Sequence, residues 1–429
     1  MAVREETLGS YAGLVADDPR EFRVHGSIYT DPQLFVAEMQ RIFERCWVYV
    51  GHESEVSAPG DYKTVVVGTQ PLILTRHEDG RIYCLYNRCR HRGAVVCRQE
   101  RGHSNFFRCR YHNWVYANNG ALIGMAQSTG YPDDFDRRAY GLVPAARLES
   151  YRGMLFVNLS DRGPGLAEHL APVRRYIDYW FGRSPVEEIE VCLPPHRYEY
   201  PGNWKLQAEN GSDGYHGNYV HLSWQRVLAL ARESTVEETQ QYRQAGCTRG
   251  LANGHGVLER PGSLNPNSSW TARMMHRYPA YAEAMRARFS DEELVEISAR
   301  RNIFVFPNLY LFETHCRVIV PRAPDRTEVH LYVYALRGVP DAINEGRFRG
   351  HERFFGPAGF GTPDDIEVFT EVQTGVRARG VEWNLLNRGQ HRERFEAGEW
   401  IGHTTDEAPQ RSLYRQWRRM MADGERADA

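Results

Sequence analysis

Cys89-Arg90-His91 and Cys109-Arg110-Tyr111-His112 are two Cys–His pairs that lie close together in the chain. The first has the pattern C-x-H and the second the pattern C-x-x-H. Gly93 follows the first pair and the turn-forming Asn118-Asn119-Gly120 follows the second, so each pair is expected on a short loop. Thiolates and imidazoles are soft or borderline ligands, and four of them on two loops indicate a metal site.

Two kinds of metal site use cysteine and histidine in this way. A structural zinc ion takes both residue types, but its cysteines usually come together as C-x₂₋₄-C. Here each loop supplies one cysteine and one histidine, which is typical of a Rieske [2Fe–2S] centre, where two thiolates hold one iron and two imidazoles the other. The sequence therefore favours a Rieske cluster bound by Cys89, His91, Cys109 and His112, with zinc or no metal as the alternatives.

The composition limits the class of protein. A chain of 429 residues is long for one hydrophobic core, so two domains or one large elaborated domain are expected. The net charge of -2 offers no field that attracts nucleic acid or an anionic membrane. The eight cysteines show no disulfide framework, which is typical of the reducing cytoplasm. No apolar N-terminal core and no run of about 18 apolar residues occurs, so we expect neither a secretory signal nor a membrane span.

The first 160 residues divide into an arm, a helix and a run of short strands. Residues 1–30 are polar and mixed, and we expect an arm over the surface. Asp31 is suited to cap a helix that starts at Pro32, and apolar residues recur at helical spacing until just before Trp47. Segments rich in β-formers then predict a small antiparallel domain, with strands at 47–50, 62–67, 71–75, 81–86, 105–108 and 154–158.

A second group of metal-binding side chains lies in Glu209-Asn210-Gly211-Ser212-Asp213-Gly214-Tyr215-His216, which His221 follows. If this segment is mostly helical, Asp213 and His216 share one face at i, i+3, whereas His221 requires a broken turn. Two neutral histidines and one carboxylate form the facial triad of non-haem Fe(II) oxygenases, which leaves positions open for O₂. The alternative is a pair of histidines on the surface of a helix.

The rest of the chain is predicted to contain mixed strands and helices. A helix is expected from Gly165 to about Phe181, strands at 302–322 and 328–336, and a final amphipathic helix at 412–421. Residues 230–300 are polar and irregular, which favours loops and helices that cover a pocket.

The predicted fold class is α+β. A small antiparallel β Rieske domain is inserted in a larger catalytic domain, whose mixed antiparallel sheet is flanked by helices. The expected division is 1–45 for an N-terminal arm and helix packing on the catalytic domain, 46–160 for the Rieske domain and 161–429 for the mononuclear iron domain.

The combined motifs C-x-H, C-x-x-H and E-N-x-x-D-x-Y-H-x(4)-H resemble those of the large (α) subunit of Rieske aromatic-ring-hydroxylating dioxygenases. The resemblance covers nearly the whole chain, and the paired motifs are highly specific. Gly202-Asn203-Trp204-Lys205 and Asp213-Gly214-Tyr215-His216 look most similar to the benzoate, toluate and cumate type.

The resemblance implies which residues bind the metals. The cysteines and histidines of the two loops would hold the [2Fe–2S] cluster. His216, His221 and a carboxylate on a late helix would hold a mononuclear Fe(II). By similarity that carboxylate is Asp365, in Pro363-Asp364-Asp365, with Asp364 as a helix-capping neighbour, although the reverse assignment stays open.

Asp213 is then not an iron ligand. The resemblance implies that it bridges the iron-site histidine and a cluster histidine of a neighbouring subunit, His112 in preference to His91. A carboxylate suits this role because it fixes the tautomer of an imidazole and can link two metal centres. Such a contact implies a head-to-tail ring, here a homotrimer, either α3 or, with a small β subunit, α3β3.

The chain departs from the family pattern in the second cluster loop. Arg110 stands where the family usually has proline, and Asn113 where it has glycine or alanine. Neither is a predicted ligand, so the expected effect is on the cluster's potential or on docking of the electron donor. Trp114 beside them is either a core aromatic or a lid that keeps water from the cluster.

No G-x-G-x-x-G motif opens a helix after a strand, so we expect the chain to bind neither NADH nor flavin itself. By resemblance, NADH-derived electrons arrive through a reductase with flavin and iron–sulfur centres, with or without a ferredoxin, and pass from the Rieske cluster across Asp213 to the Fe(II). The implied reaction adds both atoms of O₂ to an arene as a cis-dihydrodiol. The alternatives are a Rieske monooxygenase (a ring hydroxylase or demethylase) and an electron-transfer protein without oxygenase activity.

The substrate pocket should be mostly apolar, with few polar groups. The candidate lining residues are Asn210, Gly217, Phe306, Asn308, Phe355 and Phe360. If the substrate is an aromatic carboxylic acid of the benzoate or cumate kind, an arginine should meet its carboxylate. The candidates are Arg317, Arg322 and Arg353.

Overall fold

Residues 11–427 are described by a computed structural model. The chain forms two units: one contains the residues up to Ile42 and from Ala167 onward, and the other runs from Phe43 to Leu166. Each combines antiparallel strands with helical segments, and the predicted α+β class is confirmed. No helix within residues 11–427 is both long and apolar enough to cross a bilayer.

The N-terminal segment of the first unit contains strands where the sequence predicts an arm. Strands β1 (Val15–Asp17) and β2 (Phe22–His25) form an antiparallel sheet with Trp383–Leu385, from near the other end of the chain. Phe22 and Val24 are completely buried, because alternate residues of β2 face the core. Only these alternate positions of β2 are apolar. The mean composition of residues 1–30 is polar, so it does not indicate a strand. Residues 1–10 of the expected arm lie outside the described residues.

Helix α1 (Pro32–Glu38) begins as the sequence predicts. The Asp31 side chain accepts a hydrogen bond from the backbone N–H of Gln33 at 2.7 Å. Proline fits the first turn, where its missing N–H has no partner to lose. The helix continues as a π-helical turn, Met39–Phe43.

The second unit is built from ten strands in three antiparallel sheets. The strands are β3 (Val48–His52), β4 (Asp61–Val67), β5 (Gln70–Arg76), β6 (Ile82–Tyr86), β7 (Arg101–His103), β8 (Phe106–Arg108), β9 (Val115–Ala117), β10 (Leu122–Gly124), β11 (Arg147–Tyr151) and β12 (Met154–Asn158). The sheet orders are β6-β5-β4-β7, β10-β9-β8 and β11-β12-β3. The sequence does not predict β7, β9, β10 or β11; the first three have only three residues each, too few to show a period.

This unit places the two Cys–His loops at strand ends. The first loop follows β6, and the second lies between β8 and β9. Cys89 and Cys109, one from each loop, belong to the same buried hydrophobic cluster, together with Trp114. The local strand geometry therefore brings the two loops into one core.

The rest of the first unit consists of eleven helices and eleven strands in the described residues. The helices are α2 (Leu166–Leu170), α3 (Arg174–Phe181), α4 (Trp204–Asn210), α5 (Leu222–Leu230), α6 (Val236–Gln244), α7 (Trp270–Arg277), α8 (Pro279–Arg288), α9 (Asp291–Ser298), α10 (Asp341–Phe355), α11 (Gly361–Gly375) and α12 (Ala408–Ala427). The strands are β13 (Ile189–Val191), β14 (His196–Tyr200), β15 (Cys247–Gly250), β16 (Gly256–Arg260), β17 (Arg300–Val305), β18 (Leu309–Leu311), β19 (His315–Ala323), β20 (Arg326–Leu336), β21 (Trp383–Leu385), β22 (Arg394–Glu396) and β23 (Glu399–His403).

One large antiparallel sheet organises these elements. Its order is β13-β20-β19-β18-β17-β16-β15-β23-β22, and β14 also pairs with β20. β15 and β16 lie within 230–300, where the sequence predicts only loops and helices. Both strands are short and adjoin glycines, so the alternation of apolar and polar residues that indicates a strand is weak. The expected strand at 302–322 is three strands, and the expected helix at 165–181 is two helices with Pro172 between them, because proline lacks the N–H a helix needs.

A buried carboxylate fixes helix α4, which leads into the second metal motif. Glu38 lies 2.6 Å from the Lys205 ammonium and also accepts hydrogen bonds from the indole N–H groups of Trp204 and Trp417. All three donors and Glu38 are completely buried. These contacts join α1, α4 and α12, since a buried charge is tolerated only when it is paired and hydrogen-bonded.

Candidate metal centres

The two Cys–His loops have the same backbone construction. In each, the cysteine N–H donates to the carbonyl five residues farther on, at 2.8 Å. The residue four after the cysteine donates back to the cysteine carbonyl: Gly93 to Cys89 at 2.9 Å and Asn113 to Cys109 at 3.0 Å. Gly93 and Asn113 are both left-handed, with φ of +75° and +57°. Asparagine tolerates this region better than most residues, so the departure at Asn113 preserves the loop backbone.

The structure brings the four predicted cluster ligands together in pairs. Cys89 and Cys109 are 1% and 2% exposed, and the His91 and His112 rings meet edge to face with centroids 4.4 Å apart. Nδ1 of His91 is buried and finds no hydrogen-bond partner among the described residues. Two buried thiols and two adjacent imidazoles, one with an unused ring nitrogen, fit a Rieske [2Fe–2S] cluster.

The pKa shifts of Cys109 and His112 bear on metal binding by the two loops. Burial raises the pKa of the Cys109 thiol and the neighbouring Cys89 thiol raises it further, although two backbone N–H groups of the loop act in the opposite direction. Burial and the neighbouring His91 lower the pKa of His112, which favours the neutral imidazole that binds metals. Adjacent buried thiolates need positive charge, and bound iron supplies it.

Trp114 covers one of the cluster histidines. Its indole stacks on the His91 ring with centroids 5.2 Å apart and planes 7° apart. It is 3% exposed and packs edge-on against Tyr131, Phe135 and Tyr140. Trp114 is therefore both a core aromatic and a cover over His91, so the two predicted roles coincide.

Tyr116 gives one cysteine a hydrogen-bond partner. Its hydroxyl oxygen lies 3.3 Å from Sγ of Cys89 and accepts a hydrogen bond from the Arg90 N–H at 3.0 Å. The Arg90 N–H occupies the acceptor side of the hydroxyl, so the hydroxyl hydrogen is available to the sulfur. Hydrogen bonds to cluster sulfurs tune the reduction potential.

A second candidate centre lies in the first unit. Ligand atoms of His216, His221 and Asp365 all lie within 4.8 Å of one another. Oδ1 of Asp365 is 3.7 Å from Nε2 of His216 and 3.4 Å from Nε2 of His221. The Asn210 side-chain amide donates to the same Oδ1 at 3.2 Å. Two imidazoles and one carboxylate are the donor set of the non-haem Fe(II) facial triad, so the residues present fit a mononuclear iron.

Each imidazole of the triad is backed by another carboxylate. Nδ1 of His216 lies 3.4 Å from Oδ2 of Asp213, and Nδ1 of His221 lies 3.4 Å from Oδ2 of Asp364. A carboxylate at Nδ1 holds the ring proton there and leaves the lone pair on Nε2, which faces Asp365 in both cases.

Asp213 is also held by the backbone. It accepts hydrogen bonds from the N–H groups of Tyr215 at 2.5 Å and His216 at 3.3 Å. Burial by itself raises the pKa of Asp213, but His216 and these two amides outweigh it and hold the pKa below its usual value. The side chain remains 31% exposed, so a charged carboxylate is accessible at the surface of this unit.

Asp364 is not the capping neighbour that the sequence predicts. Phe360 occupies the N-cap position of α11 and makes no side-chain cap. Asp364 lies in the first helical turn and accepts a hydrogen bond from the Ser223 hydroxyl at 2.9 Å. Its side chain therefore points to the triad and not to the helix end.

Close packing, and not a helix, shapes the segment between α4 and His216. A Cβ at Gly214 would lie 2.2 Å from the Thr404 carbonyl oxygen, so only glycine fits. His216 begins a single 3-10 turn, His216–Asn218, and His221 precedes α5. The condition that the segment be mostly helical is therefore not met, although Asp213 and His216 are in contact and His221 follows a broken turn.

A cavity of about 530 Å³ opens beside the triad. The triad residues form part of its wall. Its aromatic wall consists of Trp224, Trp270, Phe312, Phe354 and Phe355. The Phe354 ring lies 5.3 Å from the His221 ring, so the aromatic surface reaches the metal ligands. The volume is within the range of roughly 300–1,000 Å³ typical of small-molecule sites.

The predicted lining residues divide into two groups. Asn210, Gly217 and Phe355 line the cavity. Phe306, Asn308 and Phe360 lie outside its wall, which corrects the prediction. Phe306 and Asn308 belong to the buried turn between β17 and β18, and Phe360 packs against Trp224 with 40% exposure.

One of the three predicted arginines lines the cavity. Arg317 on β19 is 2% exposed, and its guanidinium lies 4.6 Å from the Phe312 ring and 5.4 Å from the Phe355 ring. No ion pair involves it among the side chains that the structure describes. Arg347 on α10 also lines the cavity, although its sequence context is that of a surface helix.

The other two predicted arginines are occupied elsewhere. Arg322 lies 2.5 Å from Glu328, and Arg353 lies 2.8 Å from Glu233. Neither is part of the cavity wall. The prediction that Arg322 or Arg353 meets a substrate carboxylate is therefore corrected, because both form ion pairs within the protein.

A cluster unit of the Rieske kind and a separate non-haem iron triad define the class of Rieske non-haem iron oxygenases. Residues 46–135 match the Rieske [2Fe-2S] domain family, and residues 193–423 match the ring hydroxylating alpha subunit (catalytic domain) family. The chain therefore belongs to the family of ring-hydroxylating dioxygenase α subunits, as the sequence motifs predict.

Known relatives agree with this membership. The chain is 35% identical over 414 residues to the 2-halobenzoate 1,2-dioxygenase large subunit of Burkholderia cepacia, covering 92% of this chain and 84% of that one. It is 36% identical over 391 residues to toluate 1,2-dioxygenase subunit alpha of Pseudomonas putida, covering 88% and 84%. A solved naphthalene 1,2-dioxygenase structure with bound phenanthrene has a TM-score of 0.84 at 26% identity, covering 95% and 94%.

These findings confirm the predicted enzyme class and cofactors. The protein is a Rieske non-haem iron dioxygenase with a [2Fe–2S] cluster and a mononuclear iron, and it uses O₂ together with NADH-derived electrons delivered by a reductase. Zinc in the two loops and a purely electron-transferring protein are thereby set aside.

Proposed function

We propose that this chain is the α subunit of a terminal oxygenase that cis-dihydroxylates the ring of an aromatic carboxylic acid. The observation that carries the proposal is Arg317, buried in the cavity wall beside the triad and without an ion-pair partner in the described residues. A buried charge without a counter-ion is costly, so this cavity suits a substrate that brings its own carboxylate. The halobenzoate and toluate dioxygenases compared above are named for such acids.

The proposed ligands follow from the geometry. Cys89 and Cys109 would hold one cluster iron, and His91 and His112 the other. At the second centre the proposed ligands are His216, His221 and Asp365. When bound, the cluster supplies single electrons and the mononuclear iron activates dioxygen.

The remaining cavity residues position the substrate. The Arg317 guanidinium would hold the carboxylate, while Phe354, Phe355 and Trp224 contact the ring and exclude water near the triad. A wall with aromatic side chains and a buried cation at Arg317 orients an aromatic acid, because the two ends of the substrate differ in polarity.

Asp213 would couple the two centres in the assembly. We propose that it bridges His216 and the cluster histidine of a neighbouring subunit, His112 in preference to His91, in a homotrimer of the α3 or α3β3 type. Its partial exposure supports this role, as do the exposed Tyr215 and Tyr219 beside it. The proposed partners are a flavin- and iron–sulfur-containing reductase, with or without a ferredoxin, and a small β subunit.

We also propose a division of the chain by role. Residues 46–160 would serve as the Rieske domain, residues 161–429 as the catalytic domain, and residues 1–45 would pack on the latter; the boundaries of the two units support this division. The cysteines form no disulfide, which suits a reducing cytoplasm.

Oxygenation with labelled dioxygen tests the proposed function. The purified oxygenase, with its reductase, is given benzoate and ¹⁸O₂, and the product is analysed by mass spectrometry. We expect two labelled atoms in a cis-diol and three irons per chain, two in the cluster and one in the triad. One labelled atom would make the enzyme a monooxygenase, and two irons per chain would remove the mononuclear site.

Variants test the assignment of residues. Cys109→Ala should lose the visible absorbance of the cluster, whereas His216→Ala should keep it. Arg317→Met should raise KM for benzoate about 10–100-fold, because it removes the charged hydrogen-bonded pair with the carboxylate. It should change KM for toluene much less, because toluene has no carboxylate. Arg353→Met is the matched control, because Arg353 lies outside the cavity wall. An equal loss for benzoate and toluene would contradict the role of Arg317.

A further inference from the structure

Besides Arg317, the buried arginines of the same cavity wall include Arg347. It lies on α10, is 2% exposed, and all three of its guanidinium nitrogens are buried without a hydrogen-bond partner among the described residues. Its guanidinium packs over two aromatic rings, that of Tyr334 at 4.6 Å and that of Trp270 at 5.3 Å. Cation–π contacts offset part of the cost of burial but satisfy no N–H group.

The acidic residues of the cavity wall do not neutralise Arg347. Glu313 pairs with Arg300 at 4.0 Å. Glu238 accepts the backbone N–H of Thr235 in a capping box. Asp213 and Asp365 both belong to the triad region described above. Among the side chains that the structure describes, Arg347 has no carboxylate within ion-pair distance.

Arg317 and Arg347 occupy different parts of the wall. Arg317 comes from a strand of the sheet and contacts Phe312 and Phe355, whereas Arg347 comes from a helix and contacts neither ring. Along α10, Arg347 precedes Phe354 by seven residues, about 10 Å of helix rise. Phe354 lies against His221, so α10 carries Phe354 beside the metal ligands and Arg347 about two helical turns earlier.

We propose that Arg347 binds a second anionic group, so that the substrate is an aromatic ring with two acidic substituents, such as a benzenedicarboxylate. This inference rests on the proposed function, which assigns the first carboxylate to Arg317. One carboxylate can neutralise one guanidinium, and the second buried charge then requires a second anion. The second acidic group would meet Arg347, on the helix that also carries Phe354 beside His221.

Ligand binding by the complete, iron-loaded oxygenase tests the proposal. Dissociation constants are measured by anaerobic titration calorimetry for benzoate and for the 1,2-, 1,3- and 1,4-benzenedicarboxylates. At least one dicarboxylate should bind about tenfold or more tightly than benzoate, the gain expected from one additional charged hydrogen-bonded pair. In Arg347→Met the ratio of the two constants should fall to about one. Arg347→Lys, which keeps the charge, should recover part of the preference.

Arg349→Met is the matched control, because Arg349 lies on the same helix but is 83% exposed and pairs with Glu345. It should keep the full preference for the dicarboxylate. Far-ultraviolet circular dichroism verifies that each variant is folded; if Arg347→Met does not fold, the unsubstituted enzyme and Arg347→Lys decide. Binding of benzoate with no preference for any dicarboxylate overturns the second site and leaves the proposed function intact. Failure of every aromatic acid to bind overturns both.

Discussion

Nδ1 of His221 lies 3.4 Å from Oδ2 of Asp364, the residue directly before the carboxylate of the triad. Two consecutive carboxylates in one turn of α11 therefore face the two ring nitrogens of one imidazole. Asp364 faces Nδ1, whereas Asp365 faces Nε2 at 3.4 Å. This arrangement fixes the histidine tautomer and its orientation with side chains from a single turn of α11.

Asp364→Asn should weaken iron binding. The amide cannot hold the Nδ1 proton as a carboxylate does, so we expect iron affinity to fall about 10–100-fold, while turnover per bound iron changes little. Iron content after dialysis against a graded chelator measures the effect. Glu367→Gln, an exposed acid on the same helix, is the control. Unchanged iron retention in Asp364→Asn would show that Ser223 and packing alone orient His221.

Asp213→Asn should lower turnover as well as iron affinity. The amide cannot hold the Nδ1 proton of His216 as the carboxylate does, so iron affinity should fall as in Asp364→Asn, while cluster absorbance should stay normal. Turnover per bound iron should fall about 10–100-fold or more, since the charged link between centres is lost. Steady-state oxygen uptake, normalised to iron, measures this. Full activity in the variant would remove the bridging role.

Tyr116→Phe should lower the reduction potential of the cluster. The hydroxyl lies 3.3 Å from Sγ of Cys89, and an O–H···S bond favours the more negative, reduced state. Loss of a bond to a charged group, worth about 1.5 kcal/mol, corresponds to about 60 mV for one electron. Spectroelectrochemical titration measures the shift. Tyr111→Phe, at an exposed position of the second loop, should leave the potential unchanged; equal shifts in both variants would refute the specific role of Tyr116.

Glu209 should make stability depend on pH near neutrality. Burial raises its pKa to about 7 from 4.5, although the Tyr414 and Tyr29 hydroxyls and Lys205 act against the rise. Because the folded protein keeps this proton to higher pH than the unfolded chain, the stabilisation is complete below pH 4.5 and is lost as pH rises through 7. The contribution is about 3 kcal/mol over that interval.

Glu209→Gln should flatten this dependence. Urea unfolding between pH 5 and 8.5, at intervals of about half a unit, compares the two proteins. Burial also raises the pKa of Glu407 to about 6, so a smaller slope of the same sign should remain in the variant. Identical profiles for the two proteins would contradict a protonated Glu209 in the folded state.

The candidate metal-binding motifs can be recognised in the sequence because their spacing is local. Cys–His pairs on short loops, and His216 near His221, carry their chemistry within a few residues. Asp365 has no such local signal and is predicted only through family resemblance. Asp364 was misinterpreted as a cap because a carboxylate in a first helical turn usually interacts with the helix end.

The substrate cavity is predicted less well. Trp224, Phe312 and Phe354 come from α5, the end of β18 and α10, and only the tertiary fold brings them together. Arg347 has the sequence context of an exposed helix, with Glu345 and Arg349 as neighbours. Its burial depends on the aromatic residues of distant segments, which no local pattern reveals.

The shared hydrogen-bond pattern of the two Cys–His loops has a consequence for redesign of the cluster surroundings. Each loop is closed by its own main-chain bonds and by a left-handed residue, Gly93 or Asn113. A β-branched side chain at either position would strain the backbone, because a positive φ disfavours it. Engineering of the loops therefore has to spare these two positions, although neither supplies a ligand.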